Sequence, residues 1–158
     1  MAALTRLLSE GSLRALHIIN NGIQLQPSAD FCSALRSCSL VTLTYVSPAI
    51  ALVDAVTGHR TLQVISLGIE YGQVLNAHDL PTIGAALGRL VGANSPSLTS
   101  LDLYGCGLGE VGLRALFDAL QSNTHLRSLE CGWNEITHSV ALLTAVTWHA
   151  TLQHLGLA

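Results

Sequence analysis

Asp102 and Glu130 are two carboxylates 28 residues apart, each with an aromatic residue close behind it, Tyr104 and Trp133. Carboxylates about 5 Å apart could act as an acid–base pair on a glycosidic bond. Carboxylates beside exposed rings could instead hold a basic segment of another protein. His17 is a further candidate contact. The remaining reactive residues make no recognisable constellation. Cys32, Cys38, Cys106 and Cys131 form no CxxC pair and fit no zinc spacing. His149 and His154 could approach a metal, but nothing in the spacing supplies a third ligand. No Ser/His/Asp order or Walker motif is found, and "GCGLG" at Gly105 to Gly109 resembles a phosphate loop only in its glycine count. All seven basic residues are arginine, so no Schiff-base or P-loop lysine exists.

What these residues do depends on the elements that carry them, and the elements repeat. Leu98-x-x-Leu101-x-Leu103-x-x-Cys106-x-Leu108 is one unit, and Leu126-x-x-Leu129-x-Cys131-x-x-Asn134-x-Ile136 is the next. Leu13-x-x-Leu16-x-Ile18-x-x-Asn21-x-Ile23 matches in full. The unit from Leu40 carries Pro48 at the ninth position, and the unit from Leu62 fades at Glu70 and Gly72. Leu152-x-x-Leu155-x-Leu157 opens a sixth. The starts fall at 13, 40, 62, 98, 126 and 152, with an insertion expected between Leu67 and about Asp79.

The alternation inside each unit has the period of two of a short strand. The ninth residue then turns inward, where asparagine can pair buried backbone groups. Asn21 and Asn134 suit that role and Cys106 is a small substitute, whereas Pro48 and Glu70 predict irregular turns. The second half of a unit has helical spacing: Ala115, Leu116, Ala119 and Leu120, widened by Leu113 and Phe117. Further helices are predicted over Ser28 to Ser37, Pro48 to Thr57, Asp79 to Val91 with Pro81 in its first turn, and Thr137 to Trp148. Leu4, Leu7 and Leu8 fit one face of another. His59, His125 and His149 fall just ahead of strands, where they are expected to cap helix carbonyls.

The repeat resembles that of leucine-rich repeat proteins of the ribonuclease-inhibitor type, from Leu4 onward. The resemblance implies one α/β solenoid over residues 1–158, a horseshoe arc of about five to six units with a parallel concave sheet and convex helices. It also implies that residues between the strand leucines line the concave face. The central row is then His17, Thr44, Ser66, Asp102, Glu130 and Gly156. The next is Ile19, Val46, Gly68, Tyr104 and Gly132, and the third is Asn20, Ser47, Ile69, Gly105 and Trp133. Asp102 and Glu130 thereby sit on adjacent strands, but a shallow open sheet neither excludes water nor raises a carboxyl pKa. The expected role is non-enzymatic: an interaction scaffold or assembly subunit that binds a protein partner through Asp102, Tyr104, Glu130, Trp133 and His17, with no cofactor or metal. The resemblance leaves an alternative, a GTPase-activating or inhibitor-like regulator of an enzyme.

Bulk properties agree with one folded domain with room for a core. The 158 residues are 49% hydrophobic and 11% charged, with a net charge of −3. That charge gives no footprint for nucleic acid, and no apolar run is long enough to span a bilayer. Arg6, Glu10 and Arg14 interrupt any export signal, so the cysteines are expected to be reduced in the cytoplasm, with a cytoskeletal or ciliary assembly as a possible setting. Cys106 and Cys131 occupy core positions and should be buried and inert. The last strand would present an apolar face and an unpaired edge. A longer horseshoe, a subunit covered by partners in a large assembly, and end-to-end self-association would each explain it; the partner-covered subunit is preferred.

Overall fold

A single unit cannot bury both the leucine side of its strand and the apolar stripe of its helix, so the units must stack. The computed structural model of the chain, which describes residues 2–19, 27–46, 49–68, 75–136 and 140–157, shows that stack. Its order is α1 (Ala2–Ser9), β1 (Ala15–Ile18), α2 (Ala29–Ser37), β2 (Thr42–Tyr45), α3 (Ile50–Val56), β3 (Val64–Ser66), α4 (Leu80–Gly92), β4 (Ser100–Asp102), α5 (Gly109–Leu120), β5 (Ser128–Glu130), α6 (Val140–Trp148) and β6 (His154–Gly156). The strands form one parallel sheet in chain order, and Leu16, Leu43, Ile65, Leu101, Leu129 and Leu155 lie in one register row. The first five of these are buried beneath the helices. This is the α/β solenoid that the repeat implies. Among the described residues no helix is long and apolar enough to cross a membrane.

Two helix starts show a local cause in the sequence. Ser28 closes the N-terminus of α2 by accepting the Phe31 N–H at 3.2 Å, as a serine N-cap does. Pro81 stands in the first turn of α4. The stripe of α5 differs slightly from expectation: Leu113, Leu116, Phe117 and Leu120 are fully buried, while Ala115 and Ala119 sit at its edge. Those alanines face α4, where Gly88 and Gly92 leave room for them. Two helices therefore approach with almost no side chain between them.

Two polar ladders hold the turns. Asn134 donates to the carbonyls of Leu103, Cys131 and Gly132 at 2.7, 3.0 and 3.2 Å and accepts the Leu108 N–H at 3.0 Å. Cys106, one unit earlier, reproduces part of this by donating its thiol to the Leu67 carbonyl at 3.1 Å. Asn21, Pro48 and Glu70 lie outside the described residues.

The second ladder corrects the histidine assignment. His59 Nε2 donates to the Leu35 carbonyl in the last turn of α2 at 3.0 Å, while Nδ1 accepts from the N–H groups of Thr61 and Leu62. In the unit that begins at Leu126 the same place, three residues ahead of the leucine, belongs to Asn123, not His125. Asn123 donates to the Val91 carbonyl at 2.9 Å and accepts from the N–H groups of His125 and Leu126. His125 instead turns toward Asn94. His149 repeats the acceptor half, taking the Thr151 and Leu152 N–H groups, but its buried Nε2 meets no partner among the described residues. His59 and Asn123 thus bridge one unit to the preceding one, which capping within a single helix would not do.

Candidate protein-interaction face

The register brings Asp102 and Glu130 into direct cross-strand pairing, about 4.8 Å apart along the hydrogen-bonding direction. Their carboxylates nevertheless turn away from each other. Asp102 leans toward β3, accepting the Ser66 hydroxyl at 2.8 Å and its own Tyr104 N–H at 2.9 Å. Glu130 leans toward β6, accepting the Gly132 N–H at 2.7 Å, with His154 Nε2 3.7 Å from its other oxygen. Gly156 makes this possible, because a Cβ there would collide with the Glu130 carboxylate. The pair that glycoside chemistry needs is therefore split, and both groups are half-exposed on an open sheet.

Beyond the strand ends, Tyr104 and Trp133 meet diagonally, with ring centroids 6.3 Å apart and planes tilted by 38°. They are 46% and 62% exposed. Trp133 also holds a backbone φ of +56°, the left-handed region. Its counterpart one unit earlier is Gly105, at φ +67°, and the backbones are paired there through Gly105 N–H to the Gly132 carbonyl at 2.9 Å. The turn demands a left-handed residue, glycine supplies one without strain, and a bulky side chain there costs about 1–3 kcal/mol. The aligned units already set Trp133 against Gly105, so the signal was in the sequence.

His17 is placed apart from the other four. It lies on β1, exposed, with Nδ1 2.9 Å from the Thr44 hydroxyl. Two strands stand between it and Asp102, roughly 14 Å at the usual strand spacing. Asn20, Ser47 and Ile69 of the third row lie outside the described residues. Ser66 and Gly156 are the residues that reading for chemistry passed over; each is small, and each matters through the carboxylate beside it.

A family model described as "Leucine Rich repeat" matches residues 94–117. That match covers one unit, and over the whole chain the likeness is one of fold: six parallel strands alternating with helices in a leucine-rich repeat solenoid. Its solenoid has the ribonuclease-inhibitor-like arrangement of strand and helix. Among solved structures it is similar to leiomodin-1 actin-binding site 2, with a TM-score of 0.63 and 15% identity over 99% of this chain and 78% of that one. It is likewise similar to the tropomodulin C-terminal domain of Caenorhabditis elegans, with a TM-score of 0.59 and 16% identity over 99% and 81%. No curated protein matches the sequence.

The repeat also accounts for the cysteines. Burial pushes the Cys131 thiol up to about 12, and the nearby carboxylates Glu130 and Asp102 add to it. Burial likewise raises Cys106, Cys32 and Cys38. Cys38 lies 3.7 Å from His59 Nε2, but that nitrogen already donates to Leu35. Burial lowers His59 below its usual 6.5 despite the Leu35 bond. A raised thiol beside a lowered imidazole is the reverse of a reactive thiolate–imidazolium pair. Among the described residues no group of three His, Cys, Asp or Glu side chains could hold a metal ion.

Proposed function

We propose that this protein is a non-enzymatic protein-interaction module whose partner docks on the strand face at its C-terminal half. Trp133 carries the reading. The chain accepts a tryptophan where the previous repeat uses glycine, holds it in a strained backbone, and leaves it largely exposed against Tyr104. Glycine would hold that backbone without strain, and the exposed ring is the feature a partner surface would explain. Aromatic side chains give large contact area at low rotamer cost and dominate interface hot spots. Cytoskeletal partners are the first to test, since the similar leiomodin-1 fragment is described as an actin-binding site.

The test is capture of a partner from native cells, starting with an assay of purified actin, by the wild type and by Tyr104→Ala/Trp133→Ala. Loss of affinity by roughly tenfold or more, with an unchanged circular dichroism spectrum, is the expected result. Unchanged affinity removes the face from the account and leaves the fold standing.

A further inference from the structure

The arrangement around Trp133 also says what kind of group should sit on it. Residues 100–106 and 128–136, which form β4, β5 and the turns after them, contain Asp102, Glu130 and Glu135 and no basic residue. The nearest basic groups are exposed Arg127, which directly precedes β5, and His154, whose Nε2 lies 3.7 Å from Glu130; farther off, Arg89 is paired with Asp54 at 2.7 Å, Arg6 with Glu10, and Arg14 bonds the Ser39 carbonyl. Each carboxylate is fixed by the N–H two residues on, so it is oriented before any partner arrives. Each keeps spare acceptor capacity, since an ionised carboxylate has about four lone-pair sites. The rings of Tyr104 and Trp133 offer negative faces beside them.

We propose that this surface receives an arginine-bearing segment of the protein partner, with a guanidinium lying against Tyr104 or Trp133 and its N–H groups directed to Asp102 or Glu130. The proposal rests on the interface reading above. Charge complementarity selects a cation, and the paired rings select a flat one: a guanidinium stacks on aromatic faces and donates to carboxylates through a rigid fork, whereas an ammonium is a compact, strongly hydrated point charge.

The experiment is a nuclear magnetic resonance titration of the full chain with a glycine–arginine repeat decapeptide and with its lysine and citrulline counterparts. The arginine peptide is expected to shift the Trp133 indole and the Tyr104 and Gly132 amides. The citrulline peptide, which keeps the shape and loses the charge, should bind about tenfold more weakly. Trp133→Gly should lose the arginine response while the spectrum of the remaining chain stays folded. Equal binding by citrulline, tighter binding by lysine, shifts centred elsewhere, or no shift at millimolar peptide would each overturn the proposal. The two readings separate cleanly. If Tyr104→Ala/Trp133→Ala abolishes partner capture while the arginine peptide shifts nothing, the cation site falls and the interface stands. If the peptide binds at Trp133 while partner capture survives both substitutions, the cation site stands and the interface falls.

Discussion

His59 and His149 show how much one side chain decides at a turn. Each accepts two backbone N–H groups with Nδ1, and both are held below their usual pKa by burial. A depressed imidazole stays neutral in the folded chain while the unfolded chain takes up a proton below about 6.5. The contribution to stability is therefore full above that pH and is lost as pH falls toward the depressed folded value. Asn123 shows that asparagine does the same bonding without titrating. His59→Asn/His149→Asn should keep most of the stability at pH 7.5 and reduce the fall in Tm between pH 7.5 and 5.5. Thermal melts at both values measure it, and equal losses in wild type and variant would refute it. His59→Ala, which leaves the Leu35 carbonyl only the Cys38 thiol as donor and orphans two N–H groups, should cost about 1–3 kcal/mol at pH 7.5. Trp133→Gly should be neutral or slightly stabilising, because glycine removes the left-handed strain. Chemical denaturation reads that directly, and a clear loss of stability would mean that the ring is part of the core.

At the scale of elements, the contact between α4 and α5 depends on residues that are nearly absent. A Cβ at Gly84 would strike the Gly112 carbonyl, and one at Gly88 would lie 2.9 Å from the Ala115 carbonyl. These are backbone atoms and cannot step aside. Gly84→Ala should therefore destabilise by about 1–3 kcal/mol. At Gly92 the new methyl would meet Ala119 Cβ at 3.7 Å, an ordinary contact, and Gly92→Ala should be neutral or stabilising through helix propensity. Urea unfolding of the two variants compares the signs, and a tolerated Gly84→Ala would show that the helices can separate. The strands and helices were legible from leucine spacing because each apolar period has one face to bury. The α4–α5 approach was not, because a glycine has no period and its neighbour comes from another unit. The same holds for the mis-set His125: adjacency to a strand was visible, while its offset from the ladder position mattered only once Asn123 was seen to make the bonds.

At the scale of the molecule, each unit is stabilised by its neighbours, and β1 and β6 are the outer strands of the six-stranded sheet. Amide exchange should follow that order. The N–H of Leu67 and of Leu103, bonded to the Asp102 and Glu130 carbonyls in the middle of the sheet, should exchange more slowly than those of Val46 and Cys131, whose acceptors are Ile18 and Gly156 on the outer strands. Uniform exchange along the sheet would instead indicate one cooperative block. The sequence by itself determined the repeat, the parallel order of strands, the buried leucine rows and the outward positions of Asp102, Glu130, Tyr104 and Trp133. It could do so because burial acts at fixed spacing along the chain. Only the tertiary structure decided that the two carboxylates diverge, that Gly156 makes room for one of them, and that the rings of Tyr104 and Trp133 meet. Those outcomes depend on which side chain of a neighbouring unit lies within hydrogen-bond or steric reach, and that is set by stacking the units in space.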